Sequence, residues 1–383
     1  MLPATRKETE PSSQLQDQRC RRFTLDEIRL AIQTFNEAAI GHGGFGEVFK
    51  GYLKDGATSV VAIKRSNSTS NKVAPQFWAE AEMLSTLRHC NLVSLIGYCN
   101  EGIEMALVYE YMPNGTLKDH LHKDGAPLSW LQLLKICIGA AQGLEYLHTK
   151  SESKPPIIHR DVKTSNVLLD ADFVAKISDF GIATKGPINE TSTHVSTEIK
   201  GTYGYFDPNY YGTGHLRTNS DVCAFGVVLL EVICGLPAVH KSDDGNSRGL
   251  ATWAQGCIKQ GKLSDIIDRR LSRQIASACG KDFARIACDC LSETPHERPE
   301  MAAVVSRLQK AAVNCLGLID HPNLVKLIGY CTDDDHKLLV YEYMERGSLE
   351  NYLFKSEFLL ISAIFRAGLE NSCTLFKLEK MCP

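Results

Sequence analysis

At Pro113-Asn114-Gly115 the hydrophobic pattern of this 383-residue chain changes period. Upstream, short segments rich in β-branched and aromatic residues (39–43, 47–53, 59–65, 92–98 and 105–111) are separated by glycine turns, Asp55-Gly56 among them, and read as strands. One stretch there, 74–88, has helical spacing, with Phe77, Ala81, Leu84 and Leu87 on one face. Ahead of the strands, Thr24 and Glu27 form a capping box for a short helix whose apolar side is Phe23, Ile28 and Ile32. Downstream the period is helical: a short helix at 116–122, a long one at 129–149 capped by Ser129, then a loop-rich stretch from 155 to 211 and further helices between 219 and 307. The expected fold class is α+β in two lobes. A small lobe of five strands and one main helix joins a mainly helical large lobe near residues 110–113. A cleft between two such lobes is where a ligand sits.

At 44% apolar and 23% charged, the composition excludes a disordered or fibrous chain. A net charge of −3 gives no global field for nucleic acid or a membrane surface, so neither is expected as a partner. The fourteen cysteines are scattered without a C-x-x-C pair, and Cys288 and Cys290 point to different sides of a helix; free thiols are expected rather than a disulfide framework or a zinc site. Residues 1–22 are polar with no apolar core, which reads as an extension and not as a secretory signal, and Leu2 excludes N-myristoylation. The longest apolar run, 222–235, is interrupted by Glu231 and is shorter than the roughly 20 residues of a membrane span. It reads as a buried core helix. The expected location is cytoplasmic, with no membrane span in the chain.

The chemistry-bearing motifs follow one another in a fixed order. Gly41-His42-Gly43-Gly44-Phe45-Gly46-Glu47-Val48 lies between two strands, where glycines let a loop close over phosphates and offer backbone N–H groups; taken alone, it also suits an ordinary turn. Val61-Ala62-Ile63-Lys64 sits in the third strand, so that Lys64 reaches the α/β-phosphates if a carboxylate holds it. Glu80 is the candidate, because Glu82, two positions on, faces elsewhere. In His159-Arg160-Asp161-Val162-Lys163-Thr164-Ser165-Asn166, Asp161 is expected to orient an attacking hydroxyl and take its proton. Lys163 would neutralise charge on the transferred phosphoryl group, and Asn166 would offer an oxygen to Mg²⁺. His159, beside Ile157 and Ile158, is assigned to packing. Asp179-Phe180-Gly181 supplies the second Mg²⁺ ligand, Asp179. Together these are the ordered signature of an enzyme that moves the ATP γ-phosphate to a protein hydroxyl.

From 23 to about 310 the chain resembles the plant receptor-like protein kinases of the Pelle-related group, in particular the kinase domains of the FERONIA-like, malectin-ectodomain receptors. FTLDEI, VSLIGYC, LVYEYM, HRDVKTSN, KGTYGYFDP and SDVCAFGVVLLEV carry the likeness. The resemblance implies the two-lobed protein-kinase fold, ATP and Mg²⁺ as cofactors, and Tyr109 as gatekeeper. It implies backbone bonds from Glu110 and Met112 to adenine, with Ile40, Val48, Ala62 and Leu168 around the ring. Lys163 and Thr202 imply Ser/Thr protein substrates, and receptor or co-receptor kinases are implied as partners, which would bring the chain to the plasma membrane. Arg160 implies a phosphate on the activation segment, where Thr191, Ser192, Thr193, Ser196 and Thr197 are the acceptors and position favours Ser196 or Thr197.

Two departures stand out. Most of the family has Glu after the Asp-Pro of the substrate loop, paired with a late Arg; here the position is Asn209, and Arg298 is expected to lose its partner. Cys223 and Ala224 replace a Tyr-Ser pair after Asp221, the residue that in the family anchors the catalytic loop. These departures keep open a competing reading, a kinase-fold scaffold that binds ATP and partners but transfers little phosphate.

Residues 89–121 align without a gap on 321–353, with about half of the roughly 33 positions identical. No glycine loop, strand Lys, H-R-D or D-F-G accompanies the second copy, so Tyr341, Glu342 and Met344 make no ATP site by themselves. The organisation expected is a polar extension (1–22), a kinase domain (23–312), a partial repeat of kinase strands and hinge (313–355) and an unassigned tail (356–383). A fused or mispredicted reading frame and an added docking tail are the two explanations of the end.

Overall fold

The computed structural model describes residues 20–33, 38–43, 46–55, 57–66, 73–123, 127–150, 155–187, 193–241, 247–317, 327–331 and 338–341. Gly44, Phe45, Gly56, Thr191, Ser192, Glu342, Met344 and the tail from 356 lie outside them. The chain divides into two compact units, 1–318 and 319–383.

In the first unit, β1 (Arg21–Arg22), β2 (Ala39–Gly43), β3 (Gly46–Asp55), β4 (Ala57–Ser66), β5 (Leu95–Glu101) and β6 (Glu104–Glu110) form one sheet in the order β1-β5-β6-β4-β3-β2. Five of these strands are those read from the sequence. The sixth, β1, is a two-residue strand paired parallel to β5, too short and too charged to show a period. The alternation of Val61-Ala62-Ile63-Lys64 places its residues on opposite faces of the sheet. Val61 and Ile63 are fully buried with Phe49 and Val108 beneath Ile28, Ala31 and Ile32 of α1 (Leu25–Gln33). The capping box fixes where α1 starts: the Thr24 N–H donates to Glu27 Oε2 at 2.8 Å, and the Glu27 N–H returns to Thr24 Oγ1 at 3.2 Å. On the other face α2 (Val73–Thr86) packs Phe77, Ala81 and Leu84 against Tyr98 and Leu107, and this is the face that Ala62 and Lys64 share.

The large lobe is built on α3 (Leu117–His122), α4 (Trp130–His148), α5 (Pro208–Thr213), α6 (Thr218–Cys234), α7 (Leu250–Lys259), α8 (Leu263–Ile266), α9 (Ser277–Cys290) and α10 (Met301–Gly317). Ser129 caps α4 through Gln132, as its sequence predicts. The apolar run 222–235 falls in α6 up to Cys234, with Gly235 as its left-handed cap, and the helix is buried all round and packs on α4 and α9. A helix buried on every side is the core of its lobe. Cys137, Cys223, Cys234 and Cys290 fill that core, and burial pushes each thiol pKa up to about 12, so they serve as packing groups rather than nucleophiles. Short strand pairs brace the loop-rich stretch between α4 and α6: β7 (Ile157–Ile158) with β10 (Thr184–Lys185), β8 (Val167–Leu169) with β9 (Ala175–Ile177), and β11 (Val195–Ser196) with β12 (His215–Leu216). Among the described residues no helix is long and apolar enough to cross a membrane.

α10 runs past residue 312 to Gly317. The second unit holds an antiparallel pair, Leu327–Cys331 with Leu338–Tyr341. Its register, Leu327↔Tyr341, Gly329↔Val340, Tyr330↔Leu339 and Cys331↔Leu338, has an irregularity between Leu327 and Gly329. The β5–β6 pair repeats this at Leu95↔Tyr109, Gly97↔Val108, Tyr98↔Leu107 and Cys99↔Ala106, with its irregularity between Leu95 and Gly97. The repeated sequence therefore carries its pairing, bulge included, because bulge and side-chain alternation together set the register.

Candidate active site

Lys64 and Glu80 are brought together by β4 and α2, and Asp179 joins them from the loop after β9. The Lys64 ammonium lies 2.8 Å from Glu80 Oε2 and 2.8 Å from Asp179 Oδ1. Burial alone would lower the lysine pKa; the two carboxylates override it and hold the ammonium above its ordinary value. Asp179 shows the converse balance, with burial pushing its carboxyl up and Lys64 holding it below the usual range. Glu80 also accepts the Phe180 N–H at 3.3 Å, which ties α2 to Asp179-Phe180-Gly181. Phe180 is fully buried, edge-on to His159 at 5.0 Å between ring centres. His159 is thus a packing residue, as its apolar neighbours suggest; its Nε2 also lies 3.0 Å from the Ser178 carbonyl oxygen.

The second cluster belongs to the loop after β7. Lys163 Nζ donates to Asp161 Oδ2 at 2.6 Å, and the Thr202 hydroxyl donates to Asp161 Oδ1 at 2.6 Å. Lys163 also reaches Thr202 Oγ1 at 2.9 Å. Asn166 Nδ2 bonds the Asp161 carbonyl at 2.8 Å, and the Asn166 carbonyl accepts the Ser178 N–H at 2.9 Å, one residue before Asp179. The two clusters are therefore sewn together by main-chain bonds. Beneath them Asp221 of α6, almost fully buried, accepts the N–H groups of His159 at 2.8 Å and Arg160 at 2.9 Å, with His148 Nε2 at 2.8 Å. These bonds help hold Arg160 at φ 69°, a left-handed conformation costly for a non-glycine residue.

Arg160 turns away from the reacting groups. Its guanidinium donates to the Glu198 carbonyl at 2.6 Å and the Tyr210 hydroxyl at 2.8 Å, with Thr197 Oγ1 at 3.5 Å. It positions the segment that carries Thr202. Adjacency to Asp161 does not reveal which way the Arg160 side chain leaves its left-handed turn; the structure turns it toward Thr197, one of the two acceptors that position favours.

Of the residues that the resemblance sets around adenine, Val48, Ala62 and Leu168 are half-buried, Ile40 is exposed, and Tyr109 and Met112 are buried. Tyr109 pairs with Ala62 across β6 and β4. Burial, with the Glu80 carboxylate beside it, pushes the Tyr109 hydroxyl well above its usual pKa, so it stays protonated. The Glu110 N–H donates to the Ser94 carbonyl at 3.2 Å, and the Met112 carbonyl accepts from Gly115 at 3.2 Å, which shapes the connection between lobes. Of the glycines, Gly41 and Gly43 lie in β2 opposite Val48 and Gly46. Gly46 has φ 144°, and a Cβ there would strike the Arg65 carbonyl oxygen. Gly46→Ala should cost on the order of 1–3 kcal/mol, read as a lower denaturation midpoint.

The structure overturns one expectation. Arg298 has not lost its partner: it lies 2.8 Å from Asp207 Oδ1, and its other donors reach the Ser292 carbonyl at 2.9 Å and the Asn219 carbonyl at 3.1 Å. Asp207 also caps α5 through the Asn209 N–H at 2.9 Å and accepts the Ser220 hydroxyl at 2.8 Å. Burial pushes the Asp207 carboxyl up, and Arg298 holds it below the usual range. Sequence reasoning missed Asp207; the signal was an acid directly before Pro208, the usual arrangement of an N-cap before a helix-starting proline. Asn209 instead lies near Arg217, 3.4 Å from its guanidinium.

The family described as protein tyrosine and serine/threonine kinase matches residues 35–308, and again 309–382. The chain belongs to the protein kinase family. Its relatives include the receptor-like protein kinases ANXUR2 and FERONIA of Arabidopsis thaliana, 50% identical over 294 residues and 48% identical over 302 residues. These alignments cover 76% and 78% of this chain but only 34% and 33% of the relatives. The chain thus spans about a third of the length of the curated relatives it matches. A protein kinase domain uses ATP and a divalent metal in general. Among the described residues no cluster of three or more His, Cys, Asp or Glu side chains forms a metal cage. The donor set present nonetheless suits Mg²⁺ delivered with a nucleotide, which takes one or two protein carboxylates and completes its shell with phosphate and water.

Proposed function

We propose that this kinase transfers the ATP γ-phosphate to Ser or Thr hydroxyls of protein substrates. The observation that carries the reading is the Asp161 carboxylate, held by Lys163 on one oxygen and by Thr202 on the other. When bound, ATP with Mg²⁺ supplies the phosphoryl group and neutralises part of its charge. Asp179 and Asn166 would hold the metal, and Lys64, kept charged by Glu80, would hold phosphate oxygens. Asp161 orients the acceptor hydroxyl and takes its proton at the carboxylate, and Lys163 steadies charge on the phosphoryl oxygens. Thr202, bonded to both, places the wall of the substrate segment against the acceptor position, which favours the short Ser and Thr side chains.

The likeness to receptor-like protein kinases of Arabidopsis thaliana supports a role for this activity in plant receptor-type signalling, and we propose receptor or co-receptor kinases as partners at the cytoplasmic side of a membrane. The scaffold reading rested on Asn209 with a stranded Arg298 and on Cys223 and Ala224 in α6; the pairing of Arg298 with Asp207 speaks against the first of these grounds alone. Phosphoamino-acid analysis of a general protein substrate after incubation with labelled ATP and Mg²⁺ tests the acceptor class. Phosphoserine and phosphothreonine are expected; label on tyrosine alone would contradict it.

A further inference from the structure

α9 and α10 pack on each other, joined through 291–300. Near the end of α9, Asp289 is held by Arg307 of α10 at 2.6 Å, and this tie fixes their register. At about 1.5 Å per residue, Cys279 lies roughly 15 Å back along α9 from the tie and Cys315 roughly 12 Å forward along α10. In an antiparallel pair these two positions meet, one in the first turn of α9 and the other in the last turn of α10. Their thiols are indeed in hydrogen-bond contact, and burial, followed by this contact, pushes the Cys279 thiol up to about 12. Both cysteines are free; Cys279 is buried, whereas Cys315 is half-buried at the edge of the core. The hold of the core weakens at this end of α10. Leu308 and Ala311 are buried, but 312–315 are only half-buried. Neither thiol touches the groups that would hold nucleotide or acceptor.

We propose that Cys279 and Cys315 form a reversible disulfide when the chain meets hydrogen peroxide, stapling the end of α10 to the start of α9. Cys315, the more accessible sulfur, reacts first. It loses its proton and bonds one peroxide oxygen, the O–O bond breaks, and water leaves behind a sulfenic acid. The Cys279 sulfur then bonds the Cys315 sulfur, the S–O bond breaks, and the hydroxyl leaves with the Cys279 proton as a second water. Two thiols are oxidised and one peroxide is reduced to two waters. A thiol kept protonated by burial is slow toward oxidants in solution, so Cys279 reacts only with the sulfenic acid held against it. The bond closes the chain between 279 and 315 and restricts its unfolded states. The last turn of α10 then opens only together with α9.

Peptide mapping of the full chain after hydrogen peroxide tests this, with free thiols alkylated in urea before a non-reducing tryptic digest. The expected product joins 274–281 to 311–326, lighter by a pair of hydrogens than the two peptides apart, and dithiothreitol should remove it. Limited trypsin treatment of the folded chain is the second readout. Cleavage after the exposed Lys310 should slow about tenfold or more on oxidation and recover with reductant. Cys315→Ser, at the half-buried position, should abolish both effects. Oxidised chain in which Cys279 is still alkylated in urea, or in which Cys315 is bonded to a different cysteine, would overturn the proposal. So would the joined product formed with no change in cleavage after Lys310.

Discussion

Arg298→Ala is expected to destabilise the kinase domain by about 3–5 kcal/mol, the cost of stranding a buried charge. The Arg298 and Asp207 side chains are 1% and 2% exposed, so solvent does not rescue the carboxylate that remains. Asp207 also loses the force that depresses its pKa. In the wild type that depression contributes stability above the unfolded carboxyl pKa of about 3.9, and the contribution is lost as pH falls through the lower folded value. The variant should therefore show a smaller loss of stability on acidification below about pH 4 than the wild type. Urea unfolding at pH 7 and pH 3.5 measures both effects. Replacing the pair together, Asp207→Ala with Arg298→Met, should recover part of the loss, because no unpaired charge is left inside. If Arg298→Ala unfolded at the wild-type midpoint, the buried pair would be of no consequence and the stranded-Arg expectation would deserve revival.

The order of lobes, the caps at Thr24 and Ser129 and the central helix were legible in the sequence because each is local: a period, or two residues three apart. The candidate groups that the structure brings together were legible for another reason. Lys64, Glu80, Asp161, Asn166 and Asp179 lie far apart in the chain, but the chemistry of phosphoryl transfer restricts their type and order. Asp207 was not legible. Its partner Arg298 comes from the far end of the lobe, and a carboxylate one residue before the expected proline looked like turn chemistry alone. The outward face of Arg160 was hidden too, since only the left-handed turn at that residue sends its side chain toward Glu198. The repeat at 321–353 announced its strands, and its register follows from side-chain alternation and a bulge at the same place as in β5.

The central claim is that Asp161 handles the acceptor hydroxyl while separate groups hold the nucleotide. Asp161→Asn keeps the side-chain volume and removes the charge. The amide no longer attracts Lys163, and it accepts no proton from a hydroxyl. The buried Asn166 Nδ2, 3.2 Å from Asp161 Oδ2, and the Thr202 hydroxyl can both still donate to the amide oxygen, so folding should survive. Loss of a positioned general base costs about 10²–10⁴-fold in rate. Lys64, Glu80 and Asp179 are untouched, so nucleotide affinity should stay within about twofold, a difference below roughly 0.5 kcal/mol. The deciding measurement is single-turnover phosphate transfer from saturating ATP and Mg²⁺ to a Ser peptide, run on both proteins beside a nucleotide titration. The account predicts rapid transfer by the wild type, transfer slowed at least a hundredfold by Asp161→Asn, and matching titrations. Equal transfer by the two proteins would contradict it.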